Sequence, residues 1–213
     1  MTLAKQIALW ADALRDISAL GLLYANNAYD RARYTKVQEI ALAMLALATD
    51  EPLTALEPLR MSIFSRPSPL VGGDAAVIDD AGQLLLIQRA DNGQWAMPGG
   101  LCEVGETPAE GVTREVLEET GVHCRAVALI GVFDSRLWGT TFPLHMYQFM
   151  FLCKPLSSKK PSAPTTPNEV QDIGWFTEHT LPSNIDPGHI SKIPEAFRVW
   201  QGDNCPIFDV QSQ

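Results

Sequence analysis

The sequence predicts an α+β protein in which a small α-helical hairpin precedes a larger domain of strands and helices. Within residues 1–50, apolar side chains recur at spacings of three and four, over 3–17 and again over 34–45, as in amphipathic helices. From Leu70 onwards, short runs of alternating and β-branched apolar residues are typical of strands. One acidic segment that ends at Gly121 has helical spacing instead and separates two groups of these strands.

The first region predicts two helices that pack against each other. Its two apolar stripes consist of Leu3, Ile7, Trp10, Leu14 and Ile17, and of Tyr34, Val37, Ala41, Met44 and Leu45. Gly21 and the pair Asn26–Asn27 interrupt the pattern between the stripes, which predicts a turn there. About fifty residues bury too little surface to be stable alone. We therefore expect the hairpin to pack on the following domain, on a second copy in a homodimer, or on both.

The pattern divides the chain into four parts. They are a hairpin over 1–50, a linker over 51–69, a larger domain over 70–205 and a C-terminal tail over 206–213. Four prolines break up the linker, which leaves room for one short helix. In the larger domain, strands over 71–79 and 83–89 are predicted to pair as a hairpin. The remaining predicted elements are strands over 125–133, 145–154 and 170–176, loops over 134–144 and 157–167, and a closing helix over 191–201.

Composition narrows the class of partner. The net charge of −9 argues against a long nucleic acid, because phosphate backbones are bound by Lys and Arg patches. No apolar run is long enough to span a membrane, and the N-terminus lacks the pattern of a signal peptide. The four cysteines have neither metal-ligand nor disulfide-framework spacing and are expected to be free thiols. We expect a cytoplasmic protein that binds a small nucleotide and no membrane.

The most informative segment is a glycine turn followed by an acidic helix. The turn is Pro98-Gly99-Gly100, and the helix carries Glu115, Glu118 and Glu119 on one face, because side chains three and four apart lie together. Three carboxylates on one face repel one another unless a cation lies between them. Mg²⁺ prefers oxygen ligands and commonly shares them with substrate phosphates. The spacing therefore predicts a Mg²⁺ site, with Mn²⁺ as an alternative, suited to phosphate chemistry.

This segment resembles the box motif of the Nudix hydrolases, which act on nucleoside diphosphates linked to another group X. The matching positions are Gly100, Glu106, Arg114, Glu115, Val116, Glu118, Glu119, Gly121 and Val122. Nine specified residues at fixed spacing are far more specific than a lone glycine-rich loop. The resemblance implies a Nudix-type α/β/α sandwich with a mixed sheet over about 70–205. It also implies hydrolysis of the diphosphate bond, which releases a nucleoside monophosphate and phospho-X.

The hairpin is similar to an N-terminal extension in a Nudix subgroup that includes bacterial CDP-choline pyrophosphatases. The residues that carry this likeness are Trp10, Tyr24, Asn27 and the run 29–34. It implies a CDP-choline-like or ADP-ribose-like substrate, without deciding the nucleoside or X. It also leaves open whether the hairpin contacts substrate or only a dimer partner. Two alternative functions are a nucleoside triphosphate sanitising pyrophosphatase and a non-catalytic Nudix-like nucleotide sensor.

The family resemblance also implies roles for individual residues. The implied metal ligands are the carboxylates of Glu115, Glu118 and Glu119 and the backbone carbonyl of Gly99. Arg114 is expected to pair with Glu106 through two hydrogen bonds and, with Gly100, to support the turn against the helix. The number of metal ions is not determined by the motif.

Catalysis and substrate binding involve residues beyond the box. Glu169, between the second predicted loop and the strand that follows it, is the best-placed candidate to orient or deprotonate water, and Glu115 is the alternative. Nucleoside recognition usually needs an aromatic face and a few polar groups. The candidates for substrate binding lie in or beside the loop over 134–144 and are Trp138, Arg136, Phe133 and Tyr147.

Overall fold

The computed structural model describes residues 2–64, 69–139, 146–156 and 168–210. These residues form two compact units, of which the first holds the N-terminal helices and Glu103–Gly105 and the second holds the remainder from residue 69 onwards. The predicted loop over 157–167 lies outside the described residues, as do residues 140–145 of the other predicted loop.

The N-terminal unit contains the predicted helical hairpin. Its elements are α1 (Leu3–Tyr24), α2 (Ala28–Thr49), α3 (Leu53–Leu56) and a π-helical turn over Arg60–Phe64. Asn27 begins α2, because its side-chain oxygen accepts a hydrogen bond from the Asp30 backbone N–H at 2.8 Å. Within the described ranges, no helix combines the length and the apolar character that crossing a membrane requires.

Gly21 does not interrupt α1, in contrast to the sequence prediction. The helix continues to Tyr24, and the turn is confined to Ala25–Asn27. A Cβ atom at Gly21 would lie only 2.2 Å from the ring of Tyr34 on α2. The glycine therefore lets the two helices approach closely, and its absent side chain serves packing between them.

Helix α1 presents two different apolar faces. The face toward α2 contains Ala11 and Ser18, which are buried, and Leu14, which packs on the cluster of Ala41, Leu42 and Phe64. Four other apolar residues of α1 are spaced seven apart, and each is 49–73% exposed. We call these residues the α1 stripe: Leu3, Trp10, Ile17 and Tyr24. The sequence pattern predicted one apolar stripe that includes Leu14 together with Leu3, Trp10 and Ile17. In the structure, Leu14 packs within the hairpin, whereas the other three residues are exposed.

The described residues of the second unit form eight strands, three α-helices and a 3-10 helix over Ser135–Leu137. The strands are β1 (Leu70–Val77), β2 (Leu84–Arg89), β3 (Trp95–Ala96), β4 (Gly99–Leu101), β5 (Cys124–Asp134), β6 (Met146–Pro155), β7 (Val170–Phe176) and β8 (Ile207–Phe208). The α-helices are α4 (Pro108–Thr120), α5 (Pro187–Ile190) and α6 (Ile193–Trp200). One sheet has the order β4-β1-β6-β5-β8 and is mixed, since β1 and β6 are parallel and β5 and β6 are antiparallel. The other sheet has the order β3-β2-β7.

The predicted hairpin of β1 and β2 is wrong in its pairing. An isolated bridge joins Ile78, just after β1, to Leu84 of β2, and the two strands belong to different sheets. The turn itself is tight, because the Asp79 carboxylate accepts hydrogen bonds from the backbone N–H groups of Ala81 and Gln83, each at 2.9 Å. Both edges of β1 are taken by β4 and β6. Strand β2 therefore pairs with β3 and β7 instead.

Helices cover both faces of β1. Ala76 and the following Ile78 belong to a core cluster that includes α6, whereas Ala75 and Val77 belong to a second cluster that includes α4. Alternate residues of a strand point to opposite faces, so β1 lies between the two helices. This arrangement confirms the α/β/α sandwich with a mixed sheet. The C-terminal segment, predicted as a tail, adds strand β8, which pairs in parallel with β5.

Candidate active site

Helix α4 carries the acidic face of the site, and local sequence explains both of its ends. Thr107 Oγ1 accepts a hydrogen bond from the Glu110 backbone N–H at 3.2 Å, and the Glu110 carboxylate accepts one from the Thr107 backbone N–H at 2.8 Å. This reciprocal capping box satisfies donors that a helix start leaves unpaired. Gly121 ends the helix with a φ of 66°, which glycine adopts without strain. The acidic residues thus occupy a short, well-bounded helix.

The guanidinium of Arg114 lies at the centre of an ion network. Its Nε and Nη2 atoms donate to the Glu106 carboxylate at 3.1 and 3.0 Å, as the family resemblance implied. Its Nη1 atom donates to Glu115 at 2.8 Å and to Glu118 at 3.2 Å, and Nη2 also donates to the Leu101 carbonyl at 3.2 Å. Glu106 contributes most to raising the pKa of Arg114 above its usual value. One planar side chain therefore joins the loop, the helix and strand β4.

Glu119 points to the glycine turn instead of to Arg114. Its Oε2 atom accepts a hydrogen bond from the Gly99 backbone N–H at 3.0 Å, and only 8% of the residue is exposed. Burial raises the pKa of Glu119 to about 8, with the charges of Glu115 and Glu169 adding to the rise. The Gly99 N–H and the Arg89 guanidinium act in the opposite direction. Burial likewise raises the pKa of Glu115, against the lowering effect of Arg114.

The glycine turn fits closely against these carboxylates. A Cβ atom at Gly100 would lie 2.5 Å from Glu115 Oε1, and one at Gly99 would lie 2.3 Å from the Gly73 carbonyl oxygen. A side chain at Gly99 would displace the backbone of the turn or of β1, and one at Gly100 would displace the Glu115 carboxylate. The result is a concentration of carboxylate and backbone oxygens, which is the donor set that a hard divalent cation prefers.

The carboxylates of α4 have different hydrogen-bond partners and do not converge on one point. Among the residues that the structure describes, no group of three Asp, Glu, His or Cys side chains could hold a metal as they stand. Arg114 engages Glu115 and Glu118, while Glu119 bonds to the turn. The three predicted carboxylate ligands are thus adjacent along one helix and have different hydrogen-bond partners.

Glu169 lies within electrostatic reach of the acidic helix face. Its charge is one of the causes that raise the pKa of Glu119, although the two residues are 50 positions apart. The Glu169 carbonyl accepts a hydrogen bond from the Ala90 backbone N–H at 2.9 Å, which attaches this residue to the end of β2. Its side chain is exposed. Arg89, the last residue of β2, has a charge that lowers the pKa of Glu119, and nothing in the sequence indicated that it lies near the site.

Trp138 is held in place by a residue from the C-terminal segment. Its indole N–H donates to Asp209 Oδ1 at 2.7 Å, and the other oxygen of Asp209 accepts from the Asp134 backbone N–H at 2.6 Å. The Trp138 ring packs edge-on against Phe133, with the ring centroids 4.7 Å apart. Phe133 is completely buried, so it supports Trp138 from behind and offers no free face to a ligand. No local sequence signal indicated Asp209.

The other two substrate-binding candidates remain on the surface. The Arg136 guanidinium pairs with the Asp134 carboxylate, with Nε to Oδ1 at 2.9 Å, and most of its side chain is exposed. Tyr147 lies opposite Asp134 in the pairing of β5 with β6 and is 42% exposed. Both residues therefore flank Asp134 and are open to solvent, unlike Phe133.

A buried ion pair lies beneath the glycine turn and was also missed by sequence reasoning. The Lys192 ammonium is completely buried and donates to Gln148 Oε1 at 2.7 Å and to Asp74 Oδ2 at 3.3 Å. A lysine near the start of a helix is normally solvated, so its position in the sequence carried no signal. Asp74 was more informative, because an acid within the apolar strand β1 is unusual for a core position.

The comparisons with known proteins identify the class. A family model described as "NUDIX domain" matches residues 70–196, more than half of the chain. The protein therefore belongs to the Nudix family of hydrolases. Residues 5–59 match a second model, described as "UDP-X-like, N-terminal oligomerisation domain". The interpretation of the chain as a Nudix enzyme of a subgroup with an N-terminal helical domain is thereby confirmed.

Individual relatives extend over both parts of the chain. YjhB of Bacillus subtilis, named provisionally as an ADP-ribose pyrophosphatase, is 29% identical over 204 residues, which are 93% of this chain and 95% of its own. A crystal structure of a UDP-X diphosphatase is 26% identical with a TM-score of 0.58, and covers 94% of this chain and 97% of its own. A MutT-like protein of Streptomyces ambofaciens is 37% identical over 113 residues, 53% of this chain and 67% of its own. The chain is accordingly a pyrophosphohydrolase.

Replacing Arg114 with lysine tests whether the planar, forked arrangement of the guanidinium donors is needed to stabilise the ion network. We expect Arg114→Lys to lower the free energy of unfolding by about 2–3 kcal/mol, because a single ammonium cannot serve all the acceptors that the fork joins. Urea denaturation in metal-free buffer measures this change. Arg125→Lys, at an exposed position of β5, is the matched control and should change it by less than about 0.5 kcal/mol. Equal changes in the free energy of unfolding for the two substitutions would show that the forked donors of Arg114 do not stabilise the fold.

Proposed function

We propose that this protein hydrolyses the diphosphate bond of a nucleoside diphosphate linked to X, with Mg²⁺ as the metal. The observation that supports this proposal best is the acidic face of α4 held against the glycine turn. Glu115 lies against Gly100, and Glu119 bonds to the Gly99 N–H. Carboxylates placed beside backbone oxygens suit a hard cation that also binds phosphate oxygens.

The residues of the proposed site divide into metal ligands and a residue that holds the ligands in place. Glu115, Glu118, Glu119 and the Gly99 carbonyl supply the oxygen ligands, and Mn²⁺ is expected to substitute for Mg²⁺. A divalent ion, when bound there, offsets the charge of the diphosphate and acidifies a water molecule. Arg114 holds Glu106 and thereby keeps the loop before α4 in place. The same guanidinium donates hydrogen bonds to Glu115 and Glu118.

Glu169 is the proposed general base. Its effect on the pKa of Glu119 supports a position near the acidic face of α4. Its exposed side chain, attached through the backbone to the end of β2, retains access to water. A carboxylate that is exposed and near the reacting bond can orient water and accept its proton. Glu115 is the alternative base, although its contact with Arg114 favours a role as a ligand.

The proposed substrate class follows from the relatives that span both parts of the chain. One is named a UDP-X diphosphatase and the other, provisionally, an ADP-ribose pyrophosphatase. Both names refer to nucleoside diphosphates that carry a further group. CDP-choline is a compound of the same kind. Trp138 is the proposed stacking surface for the nucleoside, with Arg136 and Tyr147 beside it, because these side chains combine aromatic faces with polar groups.

The α1 stripe is the proposed contact between two copies of the chain. Four apolar side chains seven residues apart form one continuous line on α1, and each is about half exposed or more. Such a line is the pattern by which helices associate along a seam. The family description of residues 5–59 as an oligomerisation domain supports this assignment. We therefore propose a homodimer formed through α1.

A substrate panel tests the proposed reaction. We expect the full-length protein with Mg²⁺ to release a nucleoside monophosphate from a UDP-sugar, ADP-ribose or CDP-choline, and to hydrolyse nucleoside triphosphates more slowly. Chromatography of the products measures this release. EDTA should abolish the activity, and Glu119→Gln should lower kcat by about a hundredfold or more, as expected for loss of a metal ligand.

Glu110→Gln is the control for that substitution. It lies on the same helix, and glutamine can also complete a capping box, so kcat should stay within about twofold of the wild type. Full activity of Glu119→Gln would refute the metal-site assignment. Hydrolysis of triphosphates alone would refute the substrate class and favour a sanitising pyrophosphatase.

The role of Glu169 is tested separately from metal binding. We expect Glu169→Gln to lower kcat by about a hundredfold or more, because a general base typically contributes that much, without changing the Mn²⁺ dissociation constant. Timed activity assays measure kcat, and Mn²⁺ titration measures the dissociation constant. Glu178→Gln, at an exposed position after β7, should leave both unchanged. A Glu169→Gln variant with normal kcat would transfer the role to another residue, with Glu115 as the first candidate.

A charge in the α1 stripe tests the proposed dimer. We expect Trp10→Glu to halve the mass in solution, because two carboxylates would be buried in the seam without partners. Light scattering measures the mass, and circular dichroism checks that the helices persist. Lys5→Glu, an exposed change elsewhere on α1, should leave the mass unchanged. A wild-type mass equal to that of one chain would refute the dimer.

A further inference from the structure

We propose that Lys192 is a positioning residue for the active-site turn: its buried ammonium holds Asp74, and Asp74 in turn holds the backbone of Gly99. This inference rests on the proposed function, since it assigns importance to the Gly99 carbonyl as a metal ligand. Lys192 does not reach the acidic face of α4 itself. Its effect on the site passes through Asp74.

The pair of Lys192 and Asp74 is buried on all sides. Lys192 has no exposed surface, and Asp74 and Gln148 are 4% and 7% exposed. The ammonium donates to both side chains, at 3.3 Å to Asp74 Oδ2 and at 2.7 Å to Gln148 Oε1. Burial lowers the pKa of His189, which lies within electrostatic reach of the pair. The two charges therefore depend on each other and on Gln148.

Asp74 is in direct contact with the glycine turn. It lies opposite Gly99 in the pairing of β1 with β4, and its Oδ1 atom is 3.0 Å from where a Gly99 Cβ would be. The next residue of β1, Ala75, donates its backbone N–H to the Pro98 carbonyl at 2.8 Å. Gly99 in turn donates to Glu119. The Asp74 side chain is therefore packed against the same residue whose backbone N–H holds Glu119 of α4.

The same ammonium also contacts the substrate side of the site. Its Nζ atom lies 5.2 Å from the centre of the Phe133 ring, a distance suited to a cation–π contact. Phe133 packs edge-on against Trp138, the proposed stacking surface. Lys192 thus contacts both Asp74, beside the glycine turn, and Phe133, the buried ring that supports Trp138.

Stability alone gives a weak reason for this ion pair. Replacing a buried pair with apolar residues of similar size is often neutral or stabilising, whereas removing one partner leaves an uncompensated charge. The next residue, Ile193, occupies the same apolar core without any charge. A buried ammonium among such neighbours is explained by the geometry that it imposes on Asp74 and Gly99.

Three variants separate positioning from folding. Lys192→Met keeps the length of the side chain and removes the charge, and Ile193→Ala damages the adjacent core without touching the pair. Lys192→Met combined with Asp74→Asn removes both charges, so no unpaired carboxylate stays buried. Each variant is measured by urea unfolding, by Mn²⁺ titration of the substrate-free protein using electron paramagnetic resonance, and by kcat.

We expect Lys192→Met to raise the Mn²⁺ dissociation constant and lower kcat by about tenfold each, the usual effect of losing a group that orients a metal ligand. Ile193→Ala should lower stability but leave the dissociation constant within about twofold. The double variant should recover stability while its Mn²⁺ affinity stays reduced. If Lys192→Met does not fold, the double variant decides the question.

Two results would overturn the proposal. One is recovery of Mn²⁺ affinity together with stability in the double variant, and the other is an equal change in affinity in Ile193→Ala and Lys192→Met. Failure of the proposed function is distinguishable, because the wild-type protein would then neither bind Mn²⁺ tightly nor hydrolyse any nucleoside diphosphate derivative. Normal wild-type activity with normal affinity in the Lys192 variants would refute only the role of Lys192.

Discussion

The site depends first on the guanidinium of Arg114, which balances carboxylates that would otherwise repel one another. Its fixed plane of donors reaches Glu106 before α4, Glu115 and Glu118 on α4, and the Leu101 carbonyl in β4. A flexible ammonium has no such fork. The repulsion within an acidic face dense enough to attract a divalent cation is therefore partly offset by this one side chain.

A second cation acts from the opposite side of the glycine turn. Lys192 pairs with Asp74 under the turn, while Arg114 and α4 lie beyond it. Between them, Gly99 and Gly100 approach neighbouring atoms so closely that any side chain would collide. The turn is thus confined by packing on one side and by hydrogen bonds on the other. This confinement gives the Gly99 N–H and carbonyl defined positions, which a site for phosphate chemistry requires.

Sequence reasoning succeeded where the decisive interactions are local and failed where they are not. The bounds of α4, its acidic face and the helical hairpin follow from spacings within a few turns. The pairing of β1 with β2 was wrong, because β4 and β6 occupy both edges of β1. The residues of α1 that stay exposed were not predicted individually, since periodicity shows that a face is apolar without showing which part a single chain covers. The cytoplasmic location and the tail boundaries stay predictions.

The sequence by itself determined the class of chemistry, because the Nudix box is a contiguous motif in which a helix and a turn place all the acids. Tertiary structure decided which residues support that motif. Trp138 meets Asp209 across 71 positions, and Asp74 meets Lys192 across 118. Contacts at such separations arise from strand order and sheet pairing, which side-chain periodicity does not encode. Phe133, an aromatic beside the substrate loop in the sequence, is for the same reason a buried support in the fold.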